Sequence, residues 1–530
     1  MALPASDPTF PPEEGPRRLP ASVYLIGAGP GDPGLLTLRG AELLARSDVV
    51  LYDGLSNQAL LQHAPQAEKI SVGKHGQSRI WTQPEIIEEM LRHVRAGKRV
   101  ARLKGGDPAV FARTADETEA LRDAGVPFEI VPGITAALAA GSYAGIPITH
   151  RRYASAVALV TGQEEPGKAA SALDWDALAR FPGTLVVYMG VTTAAQWTAS
   201  LLAAGKPPET PAAILRRCSL PDQQRVHCRL DEVAGRLSQR AGERIRPPVI
   251  VILGEVTSLA DSLAWFDRRP LFGQRILVTR PQSQAAALAE PLLQRGADVL
   301  RQPAIEIAPP ADWQAVDRSI AELGAGDTLV FNSRNGVRFF LDRFFQSGRD
   351  GRDLAGICLA AVGAKTAETL TDYRLRADVV PAAFHAEGLL EALQAKGRGR
   401  PAGGRIVILR ASRGRDALAP ALRDAGHAVQ QLVVYQNRDV RQADPQVTQQ
   451  LEEGRIDWVT VTSSAIAESL IAMFGDRLQR TRLVSISPIT SETLRRHGFQ
   501  VAAEADPHSM SGVVQAIERA VGGAPPRELA

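Results

Sequence analysis

Cysteine is rare in this chain of 530 residues: only Cys218, Cys228 and Cys358 occur, and they are widely spaced. Three cysteines are too few for a disulfide framework or a four-ligand zinc site, so we expect a cytoplasmic protein without a bound metal. No apolar run reaches the roughly 18 residues that a membrane-spanning helix needs. Dense runs of lysine and arginine are also missing and the net charge is only +3, so we expect neither a membrane nor nucleic acid as a partner.

The length and the two ends of the chain indicate how it is organised. At roughly 150 residues per domain, 530 residues correspond to three or four structural units. Residues 1–20 are rich in proline and contain no apolar run, so we predict a disordered tail rather than a signal peptide. Residues 522–530 form a second predicted tail.

Strand-like and helix-like segments alternate through the first half of the chain, which predicts an α/β fold. The spacing of apolar residues over 84–95 predicts an amphipathic helix. The predicted strands cover residues 23–26, 49–52, 99–103, 128–131, 185–188 and 248–253.

Three of these strands run directly into turns of glycine and proline, at 27–32 (GAGPGD), 104–108 (KGGDP) and 132–136 (PGITA). Open parallel sheets bind ligands beyond the carboxyl ends of their strands, where bare backbone allows a close approach. Two of the turns carry an aspartate, Asp32 and Asp107, and a carboxylate repels phosphate. The turns therefore predict a site for a neutral or cationic ligand.

The first turn also invites comparison with a dinucleotide-binding motif, because Gly27 and Gly29 follow a strand and Asp53 ends the next one. The third glycine of that motif is replaced by Asp32, whose charge would face the pyrophosphate. A dehydrogenase is therefore not expected.

The second half of the chain contains an internal duplication. Two copies of an α/β unit imply two lobes with a cleft between them, and such clefts are common ligand sites. The alternative is a duplication that only enlarges a structural core. Residues 275–280 align with 405–410 and residues 327–333 with 457–463 at a spacing of 130, and residues 361–370 resemble 485–494 at a spacing of 124.

Taken together, a series of motifs in the first half resembles uroporphyrinogen-III C-methyltransferase, of the tetrapyrrole methylase family, over residues 21–262. The resemblance implies a two-subdomain tetrapyrrole methylase fold with S-adenosyl-L-methionine as co-substrate, a cationic molecule that suits the aspartate-bearing turns. The motifs are residues 27–32 (GAGPGD), 35–38 (LLTL), 52–53 (YD), 73–74 (GK), 102–108 (RLKGGDP), 131–135 (VPGIT) and 144–150 (AGIPITH).

Residues 274–521 resemble uroporphyrinogen-III synthase, which implies a two-lobed α/β fold. Lobe one would comprise about 274–306 plus 436–521, and lobe two about 307–435. Residues 263–273 resemble the linker of natural fusions between these two enzymes. The synthase markers are residues 276–281 (ILVTRP), 332–337 (NSRNGV), 361–363 (AVG), 366–367 (TA) and 434–435 (VY).

The methylase resemblance implies a set of functional residues. Asp53 and Lys74 match positions used for acid–base chemistry, and Arg113 would contact the substrate within a loop, 111–117, that lacks the glycines usual in relatives. On the residues alone, Lys74 could be a solvated surface lysine and Met189 a core residue. The implied cofactor contacts are Pro30, Gly105, Gly106, Asp107, Val110, Thr135, Ala136, Met189 and Cys218.

The synthase resemblance implies closure of linear hydroxymethylbilane into uroporphyrinogen III. Hydroxyls and arginines would bind the substrate's carboxylates, with Ser333, Arg334, Thr462 and Ser463 as candidates. Tyr435 would donate a proton to the departing hydroxyl, although an aromatic residue at a crossover between lobes can also be purely structural.

These resemblances together predict a bifunctional enzyme that makes uroporphyrinogen III and methylates it twice to precorrin-2, on the branch towards sirohaem and cobalamin. Its partners would be small-molecule tetrapyrroles, with possible homodimerisation through the methylase half. The alternative is a methylase of another precorrin fused to a non-catalytic tetrapyrrole-binding module.

Overall fold

The computed structural model describes residues 22–73, 81–164, 171–238, 245–381, 386–395, 404–413 and 418–523. Two compact units emerge: the first runs through Gly273 and includes Arg295–Asp298, and the second comprises Gln274–Gln294 and continues from Val299. Within the described residues, each unit contains two five-stranded sheets. Throughout these ranges, every helix is too short or too polar to cross a membrane.

The first sheet is entirely parallel and has the strand order β3-β2-β4-β1-β5. Its central strands are mainly apolar because both faces are covered, as expected for a buried parallel sheet. The strands and the amphipathic helix predicted here are confirmed. The elements are β1 (Val23–Gly27), α1 (Leu38–Arg46), β2 (Val49–Tyr52), β3 (Glu68–Ser71), α2 (Gln83–Arg95), β4 (Val100–Lys104), α3 (Thr114–Asp123) and β5 (Phe128–Val131).

The second sheet of this unit is mixed, with the order β6-β7-β10-β8-β9 and only β6 and β7 parallel. Separate apolar clusters cover its two faces. The elements are α4 (Ala136–Tyr143), β6 (Val157–Thr161), α5 (Trp175–Arg180), β7 (Thr184–Tyr188), α6 (Ala194–Ala203), β8 (Pro211–Arg216), β9 (Gln224–Arg229), α7 (Leu230–Ser238), β10 (Val249–Leu253) and α8 (Ala260–Leu263).

The segment after α8 packs closely against the first unit. The Trp265 indole N–H donates to the carbonyl of Ser142 at 2.9 Å, and Phe266 and Leu271 are buried. The Arg269 guanidinium lies 3.8 Å from the ring centroid of Phe266, a cation–π contact. Residues 265–271 are therefore held by aromatic packing rather than left extended in solvent.

The second unit contains one sheet with the order β12-β11-β18-β19-β20 and another with the order β13-β17-β16-β14-β15. Within the second of these sheets, β13 runs antiparallel to β17 and the other pairs are parallel. The strands are β11 (Arg275–Val278), β12 (Asp298–Arg301), β13 (Ile305–Ala308), β14 (Thr328–Phe331), β15 (Cys358–Ala361), β16 (Ile406–Ala411), β17 (Val429–Asp439), β18 (Trp458–Val461), β19 (Arg482–Ser485) and β20 (Val501–Glu504). The helices are α9 (Gln282–Gln294), α10 (Gln314–Ala321), α11 (Arg334–Gln346), α12 (Ala364–Asp372), α13 (Ala386–Ala395), α14 (Leu418–Asp424), α15 (Pro445–Glu452), α16 (Ser464–Phe474), α17 (Pro488–Arg496) and α18 (Met510–Gly522).

The internal duplication is confirmed at the level of single elements. Strands β14 and β18 begin 130 residues apart, as do the helices that follow them, α11 and α16. The Asp327 carboxylate accepts the main-chain N–H of Arg405 at 3.0 Å, and Asp457 accepts that of Arg275 at 2.8 Å. Each sheet combines strands of both copies, since β14 and β15 pair beside β16 whereas β18 and β19 pair beside β11.

Candidate active sites in the two units

The three glycine-proline turns meet at one edge of the first sheet, as the sequence predicts. The main chains of Gly29 and Gly106 exchange two hydrogen bonds, at 3.1 and 2.8 Å. A Cβ atom on Gly27 would lie 2.5 Å from Cα of Gly133, and one on Gly133 would lie 2.3 Å from the carbonyl oxygen of Gly106. Only glycine fits at these contacts, so main-chain atoms form this edge.

A cavity of about 480 Å³, here called the turn cavity, opens beside these turns. Its volume lies in the range of cavities that hold small organic ligands. All nine residues that the methylase resemblance assigns to the cofactor line it: Pro30, Gly105, Gly106, Asp107, Val110, Thr135, Ala136, Met189 and Cys218. Apolar side chains of the second sheet contribute as well, among them Leu215, Val249 and Ile250.

Tyr188 contributes a phenol to the turn cavity that the sequence reasoning missed. Its hydroxyl lies 2.7 Å from the hydroxyl of Thr135 and accepts the N–H of Ala137 at 2.9 Å. Burial raises the pKa of Tyr188, so the phenol stays neutral. The only available signal was its position as the last residue of β7, directly before Met189.

The two aspartates of the turns play different roles. Asp107 lines the turn cavity and accepts the N–H groups of Ala109 at 2.7 Å and Gly133 at 2.9 Å. Asp32 lines neither cavity described here: its carboxylate accepts the N–H of Gly34 at 2.8 Å and the hydroxyl of Tyr143 at 2.9 Å. The expectation that both carboxylates face the ligand is therefore wrong for Asp32, which caps a turn.

A second cavity of about 580 Å³, the Asp53 cavity, adjoins the first and shares Leu55, Gly105 and Phe111 with it. Asp53 and Arg113 both line this second cavity. Lys74 lies outside the described residues. Two adjoining cavities provide space for two molecules side by side.

Asp53 is one member of a largely buried network of four charged side chains. The Arg102 guanidinium donates to the Asp53 carboxylate at 2.5 Å and to Glu117 at 3.2 Å, and Lys104 pairs with the other oxygen of Glu117. The Gln83 amide also donates to Glu117, at 3.1 Å. The side chains of Arg102, Lys104 and Glu117 are 4%, 2% and 0% exposed, and together with the partly exposed Asp53 they form a set of two cations and two anions.

The sequence reasoning missed this network, although the signal was present: β4 carries two cations at alternate positions in an otherwise apolar strand. Burial lowers the pKa of Lys104, whereas Glu117 opposes that shift. Such a network is expensive to break because any single deletion leaves an uncompensated buried charge.

Backbone strain is concentrated around the two cavities. Phe111, Arg113, Met189 and Arg217 adopt positive φ angles of 50 to 53°, a region that favours glycine, and all four line a cavity. Strain of this kind clusters at ligand sites. Met189 is 48% exposed, so the alternative that it belongs to the core is wrong.

Cys218 is buried at the wall of the turn cavity, and burial raises the pKa of its thiol to about 12. A neutral thiol is neither a nucleophile nor a metal ligand. The described residues contain no group of three or more His, Cys, Asp or Glu side chains placed to hold a metal ion.

In the second unit, Ser333 and Tyr435 come together. Ser333 caps α11 by accepting the N–H of Gly336 at 3.1 Å, and its hydroxyl lies 3.1 Å from that of Tyr435. The buried Tyr435 ring stacks on Phe339 with a centroid distance of 5.8 Å. The hydroxyl of Tyr435 is thus directed to the start of α11 while its ring is packed in the core.

Thr462 and Ser463 lie at the corresponding position of the second repeat. Ser463 caps α16 by accepting the N–H of Ile466 at 3.2 Å, and the Thr462 hydroxyl accepts from Arg280 at 3.3 Å. Arg334 is exposed at the first turn of α11. The sequence reasoning missed Arg280, although it lies within the 276–281 motif.

An all-parallel sheet whose turns line two adjoining cavities, followed by a duplicated α/β unit, defines a small-molecule-binding α/β protein of two parts. Residues 22–234 match the family described as Tetrapyrrole (Corrin/Porphyrin) Methylases, and residues 286–515 match Uroporphyrinogen-III synthase HemD. The chain belongs to the family of the porphyrin biosynthesis protein HemD, and it contains a tetrapyrrole methylase domain followed by a uroporphyrinogen-III synthase domain.

The porphyrin biosynthesis protein HemD of Ruminiclostridium josui is 35% identical over 487 residues, which cover 91% of this chain and 95% of that protein. The S-adenosyl-L-methionine-dependent uroporphyrinogen III methyltransferase of Methanosarcina barkeri is 44% identical over 46% of this chain and 94% of its own length. A crystal structure of the uroporphyrin-III C-methyl transferase of Thermus thermophilus with S-adenyl homocysteine is 45% identical over 45% of this chain and 99% of that chain, with a TM-score of 0.39.

Proposed function

We propose that this chain catalyses two reactions of tetrapyrrole biosynthesis. The second unit closes hydroxymethylbilane to uroporphyrinogen III, and the first transfers two methyl groups to that product, giving precorrin-2. The observation that carries the proposal is that nine residues assigned to a methyl donor line one cavity, which adjoins a second cavity containing Asp53. We assign residues 21–262 to the methylase, 263–273 to a linker and 274–521 to the synthase.

The residues of the turn cavity suit S-adenosyl-L-methionine. The wall combines main-chain groups of three turns with apolar side chains, and among the described residues its charged side chains are Asp107 and Arg217. A described lining with one cationic side chain fits a cofactor that is itself cationic better than a nucleotide phosphate. When bound, this cofactor would supply an electrophilic methyl group.

Asp53 is our candidate for the base that accepts the proton lost by the methylated ring. Its carboxylate is about 29% exposed, lines the Asp53 cavity and is oriented by Arg102 and by the N–H of Gly105 at 3.4 Å. A carboxylate held in one orientation can accept a proton at a fixed place, and orientation itself contributes a large part of such rate accelerations. Arg113 would hold a carboxylate of the ring system from the same cavity.

In the second unit, Tyr435 would protonate the departing hydroxyl of hydroxymethylbilane, which then leaves as water. The contact with Ser333 orients the phenol. Its ring stacks on Phe339, and this packing supports the orientation in which the hydroxyl lies at the start of α11.

The test is a coupled assay of the full-length protein with hydroxymethylbilane and radiolabelled S-adenosyl-L-methionine. We expect a type III product that carries two labelled methyl groups. Formation of only the spontaneous type I isomer would show that the second unit is a non-catalytic binding module. Absence of label in uroporphyrinogen III would show that the methylase acts on a different tetrapyrrole.

A further inference from the structure

Arg280 is a buried cation without a counter-ion in the described part of the second unit. The residue is 8% exposed, and its guanidinium donates only to neutral acceptors. These are the Thr462 hydroxyl at 3.3 Å, the Gln284 carbonyl at 3.2 Å and the Gln284 amide oxygen at 2.7 Å. Burying a charged side chain without a counter-ion costs folding free energy. A buried, unpaired arginine therefore points to a functional role.

A second cation lies close to the first. Arg334 directly precedes Asn335, which contacts Gln284, the residue that accepts from Arg280. Burial chiefly, and the charge of Arg334 in addition, lower the pKa of Arg280. The side-chain amide of Gln284 donates to Asn335 at 3.1 Å, which ties the start of α9 to the start of α11. Neither arginine forms an ion pair with a carboxylate among the residues that the structure describes.

The surroundings are those of an anion site. Three N–H groups of the Arg280 guanidinium are used by the acceptors above, which leaves two of the five donors of an arginine without a partner in the described ranges. Arg334 begins α11, and Ser463 caps α16 next to Thr462, so two helix N-termini add partial positive charge.

We propose that Arg280 and Arg334 form a carboxylate-binding subsite that holds one acidic side chain of a linear tetrapyrrole between the two lobes. This inference rests on the proposed synthase function for the identity of the substrate. A guanidinium binds a carboxylate through two parallel hydrogen bonds, which fixes orientation as well as position. The subsite would therefore hold one pyrrole ring at the start of α9 and α11.

The experiment compares four forms of the full-length protein: wild type, Arg280→Gln, Arg334→Gln and the double variant. With hydroxymethylbilane as substrate, losing a charge-assisted contact should raise KM about 10- to 100-fold in each single variant. The double variant should show less than the product of the two single effects, because both arginines hold the same carboxylate. A fully multiplicative double effect, or an unchanged KM in either single variant, would overturn the shared subsite.

The control is Arg343→Gln on α11. Arg343 pairs with Asp317 at 2.6 Å, so its counter-ion is already in the protein and KM should not change. Thermal unfolding distinguishes a substrate-binding role of Arg280 from a structural one. If Arg280 binds substrate, Arg280→Gln removes an uncompensated buried charge and should leave the unfolding midpoint unchanged or raise it. A lowered midpoint with unchanged KM would mean that Arg280 only supports the fold.

Uroporphyrin III, a stable polycarboxylate, provides a readout that does not need turnover. It should raise the unfolding midpoint of the wild type and of Arg343→Gln, and do so much less in Arg280→Gln. If the wild type binds it through Arg280 yet produces only the type I isomer, the synthase proposal fails and the subsite stands. No shift in the wild type, or the same shift in Arg280→Gln, overturns the subsite whatever the activity.

Discussion

Replacing Glu117 by glutamine should destabilise the first unit strongly, because it removes one of two anions from the buried network. Lys104 and Arg102 would then share only Asp53, leaving one uncompensated positive charge at side chains that are 2% and 4% exposed. Deleting one partner of a buried ion pair typically costs about 3–5 kcal/mol. Glutamine keeps the volume of the side chain, so a cavity does not contribute to this loss.

The decisive variant adds Lys104→Met to Glu117→Gln. The double variant removes one cation together with one anion and leaves the neutral pair of Arg102 and Asp53. Replacing both members of a buried pair by neutral groups is often close to neutral, so the second substitution should recover most of the stability lost by the first. Recovery by a second substitution in the interior is an outcome that loss of packing alone does not produce.

Amide hydrogen exchange read by mass spectrometry is the suitable assay, because the two units need not unfold together. In Glu117→Gln, peptides covering β4 should exchange about 100- to 5,000-fold faster, which corresponds to the loss given above at about 1.4 kcal/mol per tenfold. Arg122→Gln is the control, since its pair with Asp123 is exposed and its loss should leave β4 unchanged. Exchange in the double variant as fast as in Glu117→Gln alone would refute the charge-balance reasoning.

Three further predictions concern the methylase unit. Asp53→Asn should lower methyl transfer at least about tenfold while type III ring closure continues, measured with radiolabelled donor; an unchanged rate would remove this carboxylate from the mechanism. Gly133→Ala should weaken S-adenosylhomocysteine binding and lower the unfolding midpoint, because its Cβ atom would lie 2.3 Å from the carbonyl oxygen of Gly106. The control is Gly235→Ala in α7, where no atom lies within 4 Å of the added Cβ, so this substitution should be neutral or stabilising. With a pKa of about 12, the Cys218 thiol should be only about one part in ten thousand thiolate at pH 8. Iodoacetamide should therefore label Cys218 only as the unit unfolds, and rapid labelling of Cys218 in the native protein would contradict this prediction.

The periodic and glycine-rich parts of the chain could be predicted from the sequence. Strand β2 and strand β5 have the predicted limits, and the turns that follow β1, β4 and β5 meet because parallel neighbours end at the same edge. The duplication could also be predicted from the sequence, because Asp327 and Asp457 occupy matching positions of the two repeats. In the structure, each of these aspartates accepts a main-chain N–H at the start of an equivalent strand.

Pairing between distant side chains could not be predicted in the same way. Glu117 follows Arg102 by 15 residues, and nothing in local composition shows that a loop and a helix bring them within 3.2 Å. Asp32 was misjudged for the same reason: its partner Tyr143 is 111 residues away in the chain. Alternation along β4 places Arg102 and Lys104 on the same side of the strand, but only the folded chain reveals which carboxylates neutralise them.

The most direct test of the account is a crystal structure of the full-length protein grown with S-adenosylhomocysteine. We predict electron density for the ligand in the turn cavity, against Gly106, Thr135 and Met189, with the Asp53 cavity open beside it. Ligand bound elsewhere on the chain, or a turn cavity that stays empty at saturating concentration, would contradict the proposal that these turns hold the methyl donor.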